Sequence, residues 1–283
     1  MRVPIIIWVI WFLIGMWTPF VNCYAQEKTD FHSDLMKSSP SELLRLYQGT
    51  TQPAKRDAIV DTLLTKRENS IAALRNNLVV GTEEQKLVSM GLLIEMRAKE
   101  SGDILINLLT DESPKVQRQA AYALGHFKYG RSYENLVQML KPTQDQGVIK
   151  SVLAGLGMLG RRDGIPHIRP WLSHSDASVR VNAAISLAAL GNEEGLSEVI
   201  KASKSQDNQT RREGTFGLGF FKESEARSRL QEIIADSKAP WKTEALIYSL
   251  IEDGSFWKNP SRPSGSSSET TNAPKQSIMQ MDY

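Results

Sequence analysis

The sequence is poor in cysteine and nearly balanced in charge, and each shortage excludes a class of protein. Among 283 residues there is one cysteine, Cys23, so the chain cannot form an internal disulfide or a zinc site made of several thiolates. The formal net charge is only +2, whereas a nucleic-acid-binding surface needs many basic groups to displace counterions from phosphate. We therefore expect no nucleic-acid partner.

Recognisable catalytic motifs are also scarce. Serines are common, but none lies in the strand–turn–helix elbow that exposes a catalytic nucleophile. Adjacent carboxylates such as Glu83 and Glu84 point to different sides of a helix and do not form an acid–base pair. We therefore expect a protein that is not an enzyme and binds no cofactor or metal. Hydrophobic residues still make up 41% of the chain, which is enough for a large core.

The first 25 residues have the pattern of a targeting signal. Arg2 precedes an uncharged apolar run from Ile5 to Val21, and small side chains follow at Cys23 and Ala25. This order predicts a signal peptide over residues 1–25. Two alternatives are retention of the segment as an N-terminal membrane anchor and lipidation of Cys23. In all three cases the rest of the chain is exported, to the periplasm or outside the cell, and touches a membrane only through this segment.

A repeat of about 31 residues occupies the middle of the chain. Residues 116–125 and 179–188 share a valine, two alanines four positions later, and a leucine followed by a small residue. That leucine recurs every 30 to 32 residues. The series consists of Leu63, Leu93, Leu124, Leu156, Leu187, Leu218 and Leu250. Each repeat also contains an earlier apolar stretch and a turn, so it is predicted to form two helices. About seven such helix pairs must stack on one another to bury their apolar faces.

Residues 179–191 carry the pattern Val-Arg-x-x-Ala-Ala-x-x-Leu-Ala-x-Leu-Gly, which resembles the short HEAT-like repeat of phycobilisome lyases. The resemblance implies an all-α fold, a right-handed α-α superhelix of about seven helical hairpins over residues 41–253. Its residues are core residues, so it implies little about function. Before the solenoid, residues 26–40 are predicted to be a polar linker. After it, residues 254–283 are rich in serine, proline and threonine and are predicted to be a disordered tail.

Acidic residues recur where second helices are predicted to begin. Asp145, Asp176 and Asp207 are 31 residues apart, and Arg180 and Arg211 follow the last two by four residues. Aspartate caps helix N-termini, and a nearby arginine pairs with that aspartate or with the one in the neighbouring unit. We predict a structural ladder that holds the units in register; the alternative is that these residues contact a ligand.

A column of basic and aromatic residues occupies second-helix positions that the core pattern does not require. The HEAT-like resemblance implies that second helices line a concave face, so this column would face a groove. The candidate contacts are Arg118, Tyr122, Lys150, Arg212 and Phe216. Because arginine and tyrosine are common anchors of protein interfaces, we expect a protein or peptide partner. The alternative is that residues such as Phe216 belong to the core.

The resemblance also leaves enzyme functions open. The HEAT-like phycobilisome proteins imply a lyase- or isomerase-like activity, and the HEAT-like deoxyhypusine hydroxylases imply a metal-dependent oxygenase. Those hydroxylases bind iron through His-Glu pairs, and none of the four histidines here is followed by glutamate. Nucleic-acid binding, known among HEAT-like glycosylases, is the remote alternative, against which the charge and the export signal argue.

Overall fold

A computed structural model of the chain describes residues 31, 33–141 and 143–236. These residues form helices and connecting turns, with no strand among them. They divide into two compact units, one ending at Leu74 and the other beginning at Arg75. No helix in the described ranges is long and apolar enough to cross a membrane. The predicted signal peptide with Cys23 and the predicted tail over residues 254–283 lie outside the described residues.

The first unit contains α1 (Pro40–Gly49), α2 (Pro53–Thr65) and the beginning of α3 (Arg67–Val80). Ser39 starts α1 through a capping box, in which its hydroxyl accepts the Glu42 N–H and its own N–H donates to the Glu42 carboxylate. The buried side chains of this unit include Leu43, Ile59 and Leu63.

The structure differs from the polar linker expected over residues 26–40. Residues 33–37 are helical, and the side chain of Leu35 is only 1% exposed. The Nζ of Lys66 donates to the carbonyl oxygen of Ser38 at 2.5 Å. The second half of the expected linker is therefore part of the first unit. Its Leu35 side chain is buried, and Lys66, at the junction of α2 and α3, binds its backbone.

The second unit continues with alternating short and long helices. They are α4 (Glu83–Glu95), α5 (Gly102–Leu108), α6 (Pro114–His126), α7 (Tyr133–Met139), α8 (Gln146–Leu159), α9 (Ile165–Ile168), α10 (Ala177–Ala189), α11 (Leu196–Ala202), α12 (Asn208–Leu218) and α13 (Ser224–Ala235). Single 3₁₀ turns precede α5, α7 and α9, and a 3₁₀ helix at Arg169–Ser173 extends α9. The even-numbered helices α2 to α12 are the second helices of the repeat. The described residues thus hold six helix pairs and the first helix of a seventh, which confirms the predicted all-α solenoid.

The leucine series forms the centre of the core. Each of its six described members, Leu63 through Leu218, is at most 1% exposed. The second helices pack in succession, α4 on α6, α6 on α8, α8 on α10 and α10 on α12. A fully buried leucine contributes roughly 1.5–3 kcal/mol to the free energy of folding because its side chain leaves water. One such leucine in each repeat therefore makes the folding of a repeat depend on its stacking against the neighbouring repeats.

Small residues after the leucines allow the second helices to approach closely. A Cβ atom added to Gly157 in α8 would lie 2.9 Å from the Cα of Ser186 in α10. Gly219 does not follow this arrangement, although the sequence places it at the same repeat position. Helix α12 ends at Leu218, and the N–H of Gly219 donates to the carbonyl oxygen of Phe216, so Gly219 caps the helix instead.

Candidate protein-binding surface

The predicted contact residues lie on three of the second helices, α6, α8 and α12. We call the surface formed by their side chains and those of α10 the second-helix face. Arg212 is exposed on it, whereas Arg118, Tyr122, Lys150 and Phe216 are half-buried. A half-buried side chain offers contact area while its orientation is already fixed by the protein, which lowers the entropy lost on binding.

Phe216 belongs both to this face and to the core. It packs against the buried cluster that includes Ile185 and Val199. Its ring also meets that of Phe220 edge to face, with ring centroids 5.1 Å apart. Phe216 thus packs on the core, as the alternative raised from the sequence expected, and is partly buried.

Tyr122 and His126 lie one turn apart at the C-terminal end of α6. Their ring centroids are 6.2 Å apart, and His126 also contacts Phe127 edge to face. Burial, together with the positive charge of Arg97, lowers the pKa of His126. This corner of the face therefore favours a neutral imidazole.

Arg118 extends from α6 across the start of α8. A Cβ atom added to Gly147 would lie 2.5 Å from the Nη1 of Arg118 and 2.7 Å from its Cδ. Glycine at position 147 therefore makes room for the arginine side chain. The arginine is held against the neighbouring repeat and does not extend freely into solvent.

Lys150 is part of a polar network that the sequence did not reveal. Its Nζ donates to the hydroxyl of Ser178 at 3.0 Å and to the Oε1 of Glu213 at 3.4 Å. The Ser178 hydroxyl donates to the other oxygen of Glu213, and Gln209 Nε2 donates to Oε1 at 2.9 Å. The side chains of Lys150 and Glu213 are 14% and 15% exposed. Lys150 is thus an internal partner of Glu213, and its role as a groove contact stays a prediction.

This network extends over three second helices. Lys150 belongs to α8, Ser178 to α10 and Glu213 to α12, so the network joins three successive repeats. Adjacent helix axes lie about 8–10 Å apart, and α10 separates the other two helices. The Lys150 and Glu213 side chains therefore reach across α10 to meet, and the Ser178 hydroxyl of α10 bonds to both.

The three aspartates of the predicted ladder cap their helices. Asp145 accepts the N–H of Val148 at 2.8 Å, Asp176 accepts that of Val179 at 3.0 Å, and Asp207 accepts that of Thr210 at 2.7 Å. Hydrogen bonds to Thr210 are the main reason why the pKa of Asp207 is lowered. Their carboxylates therefore fix the start of each second helix.

The arginines of the ladder bond to groups other than these aspartates. Arg180 donates to Glu198 in α11 at 2.8 Å and to the carbonyl oxygens of His174 and Ser175. Arg211 donates to the carbonyl oxygen of Ser205 and to the side chain of Asn208. In place of the predicted Arg–Asp pairs, both arginines bond to the turn before their own helix, and Arg180 also joins α10 to α11.

Three network residues, Ser178, Gln209 and Glu213, were missed from the sequence. Glu213 is five residues before its repeat leucine and Lys150 is six before its own, so the two occupy almost the same repeat position. This near match in repeat position between an anion and a cation was the sequence signal that the two side chains could pair.

Within the described ranges, no group of three or more histidine, cysteine, aspartate or glutamate side chains is arranged to hold a metal ion.

Comparison with known proteins places the chain in a structural context. The complex of CpcE and CpcF of phycocyanin lyase from Nostoc sp. PCC7120 matches with a TM-score of 0.54 and 20% identity, over 74% of this chain and 93% of that chain. An engineered protein matches with a TM-score of 0.40 and 17% identity, over 74% of this chain and 67% of that one. Human deoxyhypusine hydroxylase matches with a TM-score of 0.31 and 15% identity, over 80% and 98%. At 20% identity, the match to the phycocyanin lyase complex shows likeness of fold alone.

No curated protein matches the sequence significantly. The family model of HEAT repeats matches residues 85–157, 102–174 and 165–251. Together these matches span residues 85–251, more than half of the 283 residues. The chain therefore belongs to the HEAT-repeat family.

Proposed function

We propose that this protein is an exported, non-catalytic scaffold that binds a partner protein or peptide along its second-helix face. The observation that carries the proposal is that Arg118 and Tyr122 on α6 and Arg212 on α12, two helices of one stack of second helices, are half-buried or exposed. Arginine and tyrosine supply large contact areas and directional hydrogen bonds at protein interfaces. Repeat solenoids use such extended surfaces for binding without a reactive pocket.

The likeness to a two-protein complex supports a protein partner. The CpcE–CpcF structure contains two protein chains, and the present chain covers 93% of the matched chain there. A HEAT solenoid of this fold therefore can take part in a protein assembly. The export part of the proposal is supported by the pattern of residues 1–25.

A triple variant tests the binding surface. Replacing Arg118 by Gln, Tyr122 by Ala and Arg212 by Gln should reduce crosslinking of the native partner in the cell envelope by at least about tenfold, since each anchor is worth ~1 kcal/mol or more. A matched control replaces the exposed basic residues Arg131 and Arg162, which lie outside the second helices. Both proteins should keep their helical circular dichroism. Undiminished crosslinking of the triple variant would rule out this surface.

Export is tested separately. A reporter that is active only outside the cytoplasm, fused after the C-terminal residue Tyr283, should be active in the complete chain and inactive when residues 1–25 are deleted. Mass determination of the mature N-terminus distinguishes cleavage after Ala25, retention of the segment and lipidation of Cys23. Reporter activity confined to the cytoplasm would disprove export.

A second candidate function is a lyase-like enzyme. The fold likeness to the phycocyanin lyase complex favours it. This candidate predicts that the protein purified from its native envelope carries a bound chromophore, visible as absorbance outside the protein band. A metal-dependent oxygenase would instead carry stoichiometric metal, measurable by elemental analysis. A colourless, metal-free protein that still crosslinks to its partner would favour the scaffold.

A further inference from the structure

Several ion pairs of the second unit connect neighbouring repeats. Lys86 of α4 pairs with Asp111, which precedes α6, and Arg180 of α10 pairs with Glu198 of α11. In a stack of helix pairs, contacts of this kind make the stability close to a sum over the repeats and the interfaces between neighbours. A repeat near one end of the stack can then open while the repeats beyond its neighbour stay folded.

The pair of Lys150 and Glu213 connects repeats that are not neighbours. The Nζ of Lys150 in α8 lies 3.4 Å from the Oε1 of Glu213 in α12, and 63 residues of sequence separate the two. Helix α10, which packs on both α8 and α12, belongs to the repeat between them. The ion pair therefore joins the repeat of Leu156 to the repeat of Leu218, across the repeat of Leu187.

A small hydroxyl side chain lies where the two charged side chains meet. Ser178 is the second residue of α10, and its hydroxyl accepts a hydrogen bond from Lys150 at 3.0 Å and donates to the Oε2 of Glu213. Within α12, the Nε2 of Gln209 donates to the Oε1 of the same carboxylate at 2.9 Å. Both oxygens of the carboxylate thus receive hydrogen bonds, and bonds to ionised groups are stronger than bonds between neutral groups.

Burial strengthens this contact across the repeats. The side chains of Lys150 and Glu213 are largely buried, so water and salt screen the attraction between their charges less than at the surface. Separation of α12 from α10 would break two contacts of Glu213, one to α10 and one to α8. Removal of only one charge would leave the other largely buried without its partner, which is strongly destabilising.

We infer that this network is a strap that joins the repeats of α8, α10 and α12 into one cooperative unit, which opens as a whole and not one repeat at a time. In a stack with contacts between neighbours only, a change in α8 leaves the opening of α12 unaffected while α10 stays folded. With the strap, a change at Lys150 alters that opening directly. The strap acts within the fold, so it does not depend on partner binding along the second-helix face.

Hydrogen exchange of the full-length protein, read by mass spectrometry of peptides from each helix, tests the strap. Lys150→Met keeps the length of the side chain and removes its charge. Exchange in α12 should become about tenfold faster, the change expected from the loss of one charge-assisted contact, although position 150 is two repeats away. Exchange in α4 should stay unchanged. Unchanged exchange in α12 would overturn the strap, and so would equal acceleration in α4 and α12, which would indicate unfolding of the whole stack.

The matched control is Lys86→Met, which breaks a pair that is similarly buried but joins neighbouring repeats. It should accelerate exchange in α6, whose repeat contains Asp111, and leave exchange in α8 unchanged. If α8 responds to Lys86→Met as strongly as α12 responds to Lys150→Met, coupling over two repeats is a general property of the stack. The strap would then have no special role, and the inference would fail.

A charge exchange tests the contact itself. Lys150→Glu places two carboxylates together and should accelerate exchange in α12 more than Lys150→Met does, because like charges repel. Adding Glu213→Lys to the same chain restores an opposite pair and should return most of the protection of α12. This double variant also decides the question if Lys150→Met does not fold. Its failure to fold, or to slow exchange in α12 relative to Lys150→Glu, would overturn the strap.

Discussion

A Cβ atom added to Gly125 of α6 would lie only 2.6 Å from the Cα of Gly155 in α8. A Cβ atom added to Gly155 would in turn lie 2.8 Å from the carbonyl oxygen of Ala121. The two helices therefore meet backbone to backbone at a pair of glycines. Such contact brings successive second helices closer than any larger side chain would allow.

We predict that Gly125→Ala destabilises the protein although alanine is the better helix former. The methyl group would collide with backbone atoms, and overpacking of this kind costs about 1–3 kcal/mol. The matched control is Gly91→Ala in α4, where an added Cβ meets no atom within 4 Å. That control should raise the free energy of unfolding by ~0.5–1 kcal/mol through helix propensity alone. Urea denaturation of both variants checks the signs, which should be opposite.

The ion pair of Lys86 and Asp111 is predicted to stabilise the second unit more than the exposed pair of Lys115 and Glu83 does. The Nζ of Lys86 lies 2.6 Å from Asp111 Oδ2, and the two side chains are only 19% and 12% exposed. Asp111→Asn leaves the lysine without its partner, so we expect a loss of roughly 1–3 kcal/mol in the free energy of unfolding. The control is Lys115→Gln, which breaks an exposed pair with Glu83 at 3.2 Å and should cost less than about 1 kcal/mol.

The same aspartate gives stability a dependence on pH. Burial alone would raise the pKa of Asp111, but hydrogen bonds from Lys86 and from the N–H of Ser113 outweigh it and hold the pKa below its usual value. The unfolded chain therefore takes up the proton first as the pH falls. The stabilisation is complete above the unfolded pKa of about 3.9 and is lost as the pH falls through the folded value. Asp111→Asn should flatten the stability curve in that range; an unchanged slope would contradict this assignment.

Hydrogen bonds between residues close in the sequence could be predicted, whereas contacts between distant repeats could not. The caps at Asp145, Asp176 and Asp207 follow from residue type and a regular period, because each bond reaches only three residues ahead. The bond between Lys150 and Glu213 spans 63 residues and depends on how three helices are angled. A repeat period gives the order of the helices along the chain but not the angles between them. The contact of Lys150 with Glu213 could therefore not be predicted, and Lys150 was expected to contact a partner.

The helix caps offer a prediction that tests the repeat register. Asp176→Ala should reduce the free energy of unfolding by ~1 kcal/mol, because the N–H of Val179 loses its acceptor at the start of α10. Asp176→Asn keeps an acceptor oxygen and should restore most of that stability. Asp207→Ala at the start of α12 should show a similar loss, and the two losses should add, since the caps share no hydrogen-bond partner. A loss that Asn cannot restore would mean that charge, and not capping, is the main contribution.

His126 is predicted to make stability fall in mildly acidic solution. Burial is the larger cause of its lowered pKa and the charge of Arg97 adds to it. The folded protein therefore disfavours the imidazolium that the unfolded chain forms below its pKa of about 6.5. Stability contributed by the neutral ring is complete above that pH and is lost as the pH falls towards the folded value.

The measurement for this prediction is thermal unfolding between mildly acidic and neutral pH. His126→Gln should remove most of the decline in stability below pH ~6.5, because glutamine takes up no proton. His167→Gln, at an exposed position in α9, is the matched control and should leave the decline in place. Because the rings of His126 and Tyr122 lie 6.2 Å apart, the same protonation would place a positive charge beside a predicted partner contact. Equal pH profiles for the two variants would show that the decline has another source.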